Sequence, residues 1–122
     1  MKLSTLSSLF VLMSVVSMVA IAPSAFAAHH EVTITNAPGS ATPGCDDTNS
    51  CFIPIPITVE VGTIVTWDNT DTAAHTATAG TAADGPSGVW DSSLIMMGQS
   101  YSYITDTAGS FDYFCMVHPW MS

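Results

Sequence analysis

Apolar and polar residues alternate in short segments along most of the chain, after an initial run that is almost entirely apolar. In EVTITN, for example, Val32 and Ile34 share one face, whereas Thr33 and Thr35 share the other. Beyond the initial run, no apolar repeat with helical spacing extends over a useful length. The alternation predicts β-strands, and the Gly, Pro and Asp residues between the segments predict turns.

Several further segments have the same character. TIVTWDN predicts a compact strand that carries Trp67 into the core, and HTATAG, QSYSYIT and SFDYFC predict three more strands. Both faces of SFDYFC carry an aromatic residue, so this strand is expected to be central and largely covered. FIPIPITVEVG is expected to be an edge or irregular segment, because Pro54 and Pro56 cannot donate ladder hydrogen bonds. Residues 80–98 are expected to be mostly loop, with one helical turn over 92–95.

These segments amount to six or seven strands, with no internal repeat and no linker. A small all-β domain of this kind must bury the apolar face of one sheet against another. The expected fold is therefore a single Greek-key β-sandwich or barrel.

The initial run has the features of an export signal. Lys2 is followed by apolar residues 9–22, and Ala25 and Ala27 then form a small-x-small cleavage site. We expect residues 1–27 to be a signal peptide and residues 28–122 to be the domain. An uncleaved membrane anchor is the alternative, although the run is short for a span of about 20 residues. Either way, the domain is expected outside the cytoplasm, in the periplasm or on the outer face of the cell membrane.

The chain is strongly acidic, with ten Asp and Glu residues and a formal net charge of −9. Its single basic residue, Lys2, would leave with the signal peptide. A domain without Lys or Arg cannot neutralise phosphate, which excludes nucleic acid as a partner. The acidity repels anionic membranes and favours basic partners, and solubility in a salty medium is the alternative explanation. Stable membrane insertion is not expected after cleavage.

The chain contains three cysteines, and two of them would normally pair in an exported protein. Cys45 and Cys51 flank the polar loop DDTNS, which is easy to close, so these two are expected to form a disulfide. Cys115 then has no partner, and a metal thiolate would explain why. Pairing of Cys115 with one of the other two cysteines is the alternative.

The unpaired cysteine begins CMVHPWM, in which a thiol, an imidazole and a thioether recur at intervals of three. Cys115, His118 and Met121 can converge on one ion, and His75, at the start of a strand, is the expected fourth ligand. Two imidazoles and a thiolate with a weak axial thioether form a blue-copper site. Zinc, calcium and magnesium prefer other ligand sets. The sequence therefore predicts one bound copper ion.

VGTIVTWDNTDTAAHTAT and GQSYSYITDTAGSFDYFCMVHPWM resemble the plastocyanin and amicyanin branch of the cupredoxins, and look closest to archaeal plastocyanin-like members. The resemblance extends from about His30 to Met121, and the C-x-x-H-P-x-M spacing is of the amicyanin type. It implies an eight-stranded Greek-key sandwich and a soluble one-electron carrier rather than an enzyme. By motif, His75 is the upstream ligand, Cys115 the equatorial thiolate, His118 the second imidazole and Met121 the axial thioether.

Two features depart from the family pattern. Thr76 stands where many members have an Asn whose side chain ties the two ligand loops together, although the Thr76 N–H can still reach the thiolate. The chain also stops at Ser122, where the family continues into a last strand. The final strand is therefore expected to be missing, which leaves a sheet edge unpaired. Residues 28–122 as written are expected to bind copper poorly or to melt early.

The resemblance also implies a partner surface. In the family, the exposed histidine ligand lies in an apolar patch through which electrons pass, and an exposed apolar patch fits a transient partner site. The corresponding residues around His118 would be Met116, Pro119 and Trp120, with Met96 or Met97. The expected partners are redox proteins, membrane-associated and with a basic docking surface.

Two other functions fit parts of the sequence. A copper oxidoreductase acting on a small molecule such as nitric oxide would need an open coordination position, which Met121 is expected to fill. A copper-holding or delivery protein would release copper easily. Such a protein could use a second Cu(II) site, where His29 and His30 follow the free amine of the mature chain. A mobile polar terminus is the alternative for these two histidines.

Overall fold

A computed structural model describes residues 30–122, which form seven β-strands and one short 3-10 helix. The strands are β1 (Glu31–Asn36), β2 (Phe52–Ile53), β3 (Ile64–Asn69), β4 (Thr78–Thr81), β5 (Gly85–Asp91), β6 (Ser100–Ile104) and β7 (Tyr113–Phe114). The 3-10 helix, Cys45–Thr48, lies in the long connection between β1 and β2. The expected signal peptide and His29 lie outside the described residues, and both interpretations stay predictions. Within the described part of the chain, no helix has the length and hydropathy of a membrane span.

The strands form two sheets, which confirms the predicted all-β sandwich. The first sheet has the order β2-β1-β3-β6, and the second has the order β5-β4-β7. β1 and β3 are parallel, with Glu31 opposite Ile64 and Asn36 opposite Asn69. The other strand pairs are antiparallel. β2 lies at a sheet edge and spans two residues, as expected for a segment that continues into Pro54.

Alternating residues of β1 and β3 form the centre of the core. Ile34, Val65 and Trp67 are buried, and the Trp67 side chain is only 2% exposed, which confirms its predicted place. Its ring packs against Tyr101 of β6 and Tyr113 of β7, with centroids 6.0 and 5.4 Å apart. Fully burying a large apolar side chain stabilises a fold by roughly 1.5–3 kcal/mol. Trp67 therefore helps to hold the two sheets together.

The prediction that residues 80–98 are mostly loop, with one helical turn over 92–95, was wrong at β5 and at the helical turn. β5 occupies much of this region and pairs with β4, and residues 92–95 contain no helical turn. β5 is an edge strand of its sheet, where a proline is tolerated because it need not donate to a neighbour. Gly85 and Gly88 have φ values of 83° and 86°, which make the strand irregular and conceal it in the sequence.

The prediction that the SFDYFC strand is central and largely covered was also wrong. β7 spans two residues and, among the described residues, pairs only with β4. Phe111 is outside the strand and 40% exposed, whereas Phe114 is buried. Tyr113 packs against Phe52 and Trp67 of the first sheet. Aromatic residues on both faces therefore reflect packing across the sandwich rather than a central position. The expectation that a last strand is missing is not tested by this arrangement and stays a prediction.

Candidate metal centre

The turn between β3 and β4 positions His75, which is completely buried. The Asn69 side chain, at the end of β3, donates hydrogen bonds of 2.8 Å to the carbonyls of Ala73 and Ile95. His75 and Ile95 exchange two main-chain hydrogen bonds, of 3.1 and 2.7 Å. Because Asn69 holds both segments, it fixes the direction from which the imidazole enters the core.

The second part of the site is the loop that follows β7. The Cys115 N–H donates to the Met121 carbonyl at 3.0 Å, and the Met121 N–H donates to the His118 carbonyl at 2.9 Å. These bonds close the loop on itself, with Pro119 between the imidazole and the methionine. Cys115 and Met121 are completely buried, and His118 is half-buried. The loop therefore has a fixed shape in which one imidazole reaches toward the surface.

The structure brings three of the predicted ligand residues together. The His75 Nδ1 and His118 Nδ1 atoms are 3.1 Å apart, and the Cys115 Sγ lies 3.8 and 3.7 Å from them. A metal bound at about 2.0 Å to nitrogen and about 2.3 Å to sulfur, in a near-trigonal arrangement, requires donor separations of roughly 3.5–3.8 Å. The three donors thus match a single soft metal ion with only a small adjustment between the imidazoles. Met121, the fourth predicted ligand, lies in the same buried cluster as Cys115.

The surroundings of Cys115 favour its thiolate form. Burial raises the pKa of the thiol, but hydrogen bonds from His75 and from the main-chain N–H groups of Thr76, His118 and Val117 lower it to about 6. The Thr76 N–H donates to the sulfur at 3.3 Å. The thiolate is the form of cysteine that binds metals, so this sulfur is ready to bind near neutral pH.

The side chain of Thr76 also ties the two ligand-bearing segments together. Its Oγ1 accepts a hydrogen bond of 2.9 Å from the Met116 N–H, and it lies 2.9 Å from the Thr78 Oγ1. Thr76 thus supplies a connection that the family pattern assigns to an asparagine side chain. The sequence did not predict this side-chain tie, because a threonine stands where the family pattern has the asparagine, but the hydroxyl supplies it.

Sequence reasoning also missed Asp71, which contacts the far side of His75. The Asp71 Oδ2 lies 2.7 Å from the His75 Nε2. Burial raises the pKa of Asp71, but hydrogen bonds from the Gly39 N–H, from His75 and from the Thr72 N–H outweigh it and lower the pKa to about 2. For His75, burial lowers the pKa, whereas Cys115 and Asp71 raise it above its ordinary value. The acidic residue four positions before the histidine was the signal that could have revealed this pair.

Apolar side chains are exposed on the loop that carries His118 and on the β5–β6 connection, whose Ile95 pairs with His75. The expected patch residues Met116 and Pro119 are exposed, and Trp120 is half-buried with its ring centroid 5.2 Å from that of His118. Met97 is 62% exposed, which is high for a methionine. The sequence reasoning did not include two other exposed apolar residues, Leu94 on the β5–β6 connection and Val117 on the ligand loop.

The remaining cysteines form the predicted disulfide, between Cys45 and Cys51. Cys115 is free and buried, so the alternative pairing is excluded. The connection that carries the disulfide lies beside the site, because the Cys45 Sγ is 4.0 Å from the Ser40 carbonyl oxygen and the Ser40 Oγ is 3.5 Å from the His75 Nε2. His30, suggested for a second copper site, is exposed just before β1.

The sequence matches no protein-family model and no curated protein at a significant level. Among solved structures, a purple cupredoxin from Nitrosopumilus maritimus is similar to the chain, with 22% identity and a TM-score of 0.66. This match covers 74% of the chain and 92% of that protein.

Amicyanins are also similar, but less closely in structure. Amicyanin from Paracoccus versutus is 23% identical, with a TM-score of 0.48 over 78% of the chain and 76% of that protein. The Cu(I) form of a mutant amicyanin is 33% identical, with a TM-score of 0.42 over 50% of the chain and 57% of that protein.

The purple cupredoxin match shows that the described domain has the cupredoxin fold, as the sequence resemblance implied. Within this fold, the described residues place a thiolate and two imidazoles at one buried point.

Proposed function

We propose that this protein is a type 1 copper protein that carries single electrons between redox partners outside the cytoplasm. The proposal rests on one observation, that the His75 Nδ1, the Cys115 Sγ and the His118 Nδ1 lie close together inside a cupredoxin fold. Copper held there would supply a one-electron change between Cu(I) and Cu(II). Two imidazoles and a thiolate, with the thioether of Met121 as a weak fourth ligand, suit both oxidation states.

The protein's own contribution is a rigid and largely buried set of donors. His75 and Cys115 are completely buried, and each is held by main-chain hydrogen bonds that do not involve its metal-binding atom. His75 exchanges two with Ile95, and the Cys115 N–H donates to the Met121 carbonyl. A ligand set that is held in place independently of the metal changes little when the metal gains or loses an electron. This rigidity supports electron transfer rather than catalysis, which would need an open position for a substrate.

Electrons would enter and leave beside His118, which is the least buried of the three donors. Around it, Met116 and Pro119 expose apolar surface without a cationic residue, since the described residues include no Lys or Arg. We propose that this surface binds redox proteins that are membrane-associated and have a basic docking face. The acidic domain would attract such proteins over longer distances. The sequence features of an export signal and the disulfide support a place outside the cytoplasm.

The test is the visible and electron-spin spectrum of the protein loaded with one equivalent of copper. We expect an intense thiolate-to-copper absorption band in the parent and its complete loss in Cys115→Ser. His30→Gln is the matched control, because it removes an exposed imidazole outside the donor cluster and should leave the band unchanged. A copper-loaded parent without such a band would overturn the proposal.

A further inference from the structure

The carboxylate of Asp71 holds His75 from the side that faces away from the donor cluster. Asp71 is only 4% exposed, and its Oδ2 is 2.7 Å from the His75 Nε2. Because an ionised carboxylate can only accept a hydrogen bond, the proton of the imidazole must be on Nε2. When the imidazole is neutral, the other ring nitrogen, Nδ1, is then bare and points toward Cys115 and His118. Asp71 thus selects the form of His75 that can bind a metal.

A buried carboxylate must be stabilised by its surroundings to stay charged. Three main-chain N–H groups donate to Asp71, from Gly39 at 3.0 Å, Ala41 at 3.3 Å and Thr72 at 2.9 Å. Together with His75, they give the two oxygens four donors. No Lys or Arg among residues 30–122 could provide a compensating charge. The main-chain N–H groups therefore stabilise the carboxylate instead, and two of the three come from the β1–β2 connection.

The same piece of this connection reaches the C-terminal ligand loop. Residues 39–41, here called the bridging segment, include Ser40, which is completely buried. The Ser40 carbonyl accepts a hydrogen bond of 2.8 Å from the Trp120 Nε1–H, and the Ser40 Oγ is 3.5 Å from the His75 Nε2. Trp120 adjoins Met121 and packs beside His118. The bridging segment thus joins the turn that carries His75 to the loop that carries His118.

We propose that Asp71 is a positioning residue of the metal centre, which orients His75 and, through the bridging segment, aligns the His118 loop with it. The inference rests on the proposed copper function. A negative charge that is shielded from water and bonded to a ligand favours the more positive, oxidised centre. Asp71 therefore lowers the reduction potential as well as strengthening copper binding.

The experiment compares Asp71→Asn with Asp68→Asn in the copper-loaded protein. Both substitutions remove one carboxylate, but Asp68 is exposed on β3. We expect Asp71→Asn to raise the reduction potential and to weaken copper binding by about 10–100-fold, as is usual when a partner of a ligand is removed. Asp68→Asn should change neither quantity, and Asp71→Glu, which restores the charge, should recover part of both. Equal potentials for Asp71→Asn and Asp68→Asn would overturn the proposal.

A second measurement needs no copper. Nitrogen NMR of the metal-free parent, in mildly alkaline solution, should show His75 protonated on Nε2. Asp71→Asn should weaken this preference, because an amide oxygen is a weaker acceptor than a carboxylate. A parent that carries the proton on Nδ1 would overturn the proposal. If the parent bound no copper, the proposed function would fail, whereas this measurement would still decide the role of Asp71.

Folding is checked by circular dichroism of each metal-free variant. If Asp71→Asn did not fold, the NMR result for the parent would still decide the role of Asp71, and Trp120→Phe would test the role of the bridging segment. Trp120→Phe removes the donor to Ser40 and keeps an aromatic ring beside His118. We expect it to fold and to lose copper to a chelator faster than the parent. A rate equal to that of the parent would overturn the role of the bridging segment.

Discussion

The main-chain N–H of Thr76 donates a hydrogen bond to the Cys115 sulfur across 3.3 Å, and the Thr76 hydroxyl holds the residue that follows the cysteine. Two adjacent groups of one threonine therefore restrain the thiolate, and they can be separated experimentally. The N–H bond acts on the charge of the sulfur, whereas the hydroxyl bond acts on the position of the loop.

Replacement of Thr76 by valine tests this division. The substitution keeps the shape and the N–H but leaves the Met116 N–H without its acceptor, which should cost about 1–3 kcal/mol of the free energy of unfolding. The thiolate-to-copper band should remain. Thr66→Val is the matched control, because the Thr66 hydroxyl bonds to the Ser102 hydroxyl at 2.7 Å on an exposed face. Equal losses of stability in the two variants, measured by denaturant unfolding, would contradict the role of the Thr76 hydroxyl.

Acid should destabilise the metal-free domain partly through Asp71. Its pKa is about 2 in the folded protein and 3.8 ordinarily, so the unfolded chain binds its proton first as the pH falls. The stabilisation is complete above the ordinary pKa and is lost as the pH falls through the folded value. The loss should be on the order of 2 kcal/mol when it is complete, a figure from the conversion of the pKa shift to free energy.

Urea unfolding of the metal-free protein at a series of acidic pH values measures this effect. The difference in stability between the parent and Asp71→Asn should shrink as the pH falls from about 4 to about 2. A difference between the parent and Asp71→Asn that stays constant over this range would show that the Asp71 carboxylate has no special linkage to folding.

The Cys115 thiol should ionise at lower pH than an ordinary thiol. Its pKa is lowered from 9.0 to about 6, so the ultraviolet absorbance of the thiolate should rise near pH 6 in the metal-free protein. His75 interacts with the same sulfur, and the measured midpoint therefore belongs to the pair. Cys115→Ser should show no such change, and a midpoint near 9 in the parent would contradict the prediction.

Salt should weaken electron exchange with cationic partners. The acidic domain attracts positive reagents, and salt screens this attraction over distances of about 10 Å at 0.1 M. The rate of reduction by a small cationic complex should fall as salt is added, whereas the rate with an anionic complex of similar potential should rise. Stopped-flow measurements with the two complexes check this. A flat profile for both would indicate that the acidity serves only solubility.

The part of the site that could be predicted from the sequence is the part whose residues lie close together along the chain. Cys115, His118 and Met121 lie within one short loop, so their proximity follows from chain length alone. His75 is distant in sequence, but a turn after a strong strand is a place where a side chain has a fixed direction. The grouping of His75 with Cys115 and His118 in the structure agrees with that reasoning.

The supports of the site could not be predicted in this way. Asp71 and Gly39 are 32 residues apart, and Ser40 and Trp120 are 80 apart. Such contacts depend on how an irregular connection packs over the end of the sandwich, which periodicity does not describe. For the same reason, β5 was missed, since an edge strand needs neither alternation nor a full set of N–H donors.

The disulfide has a consequence for how the centre is assembled. The disulfide ties Cys45 to Cys51, and the Ala37 N–H donates to the Cys51 carbonyl at 2.9 Å. Together they hold both ends of residues 37–45, which include the bridging segment. A chain made in a reducing compartment would lack this restraint, and the Ser40 carbonyl that receives Trp120 would be less firmly held. Maturation is therefore expected to have an order, with thiol oxidation before metal insertion. Recombinant protein for the experiments above is best produced where the disulfide can form.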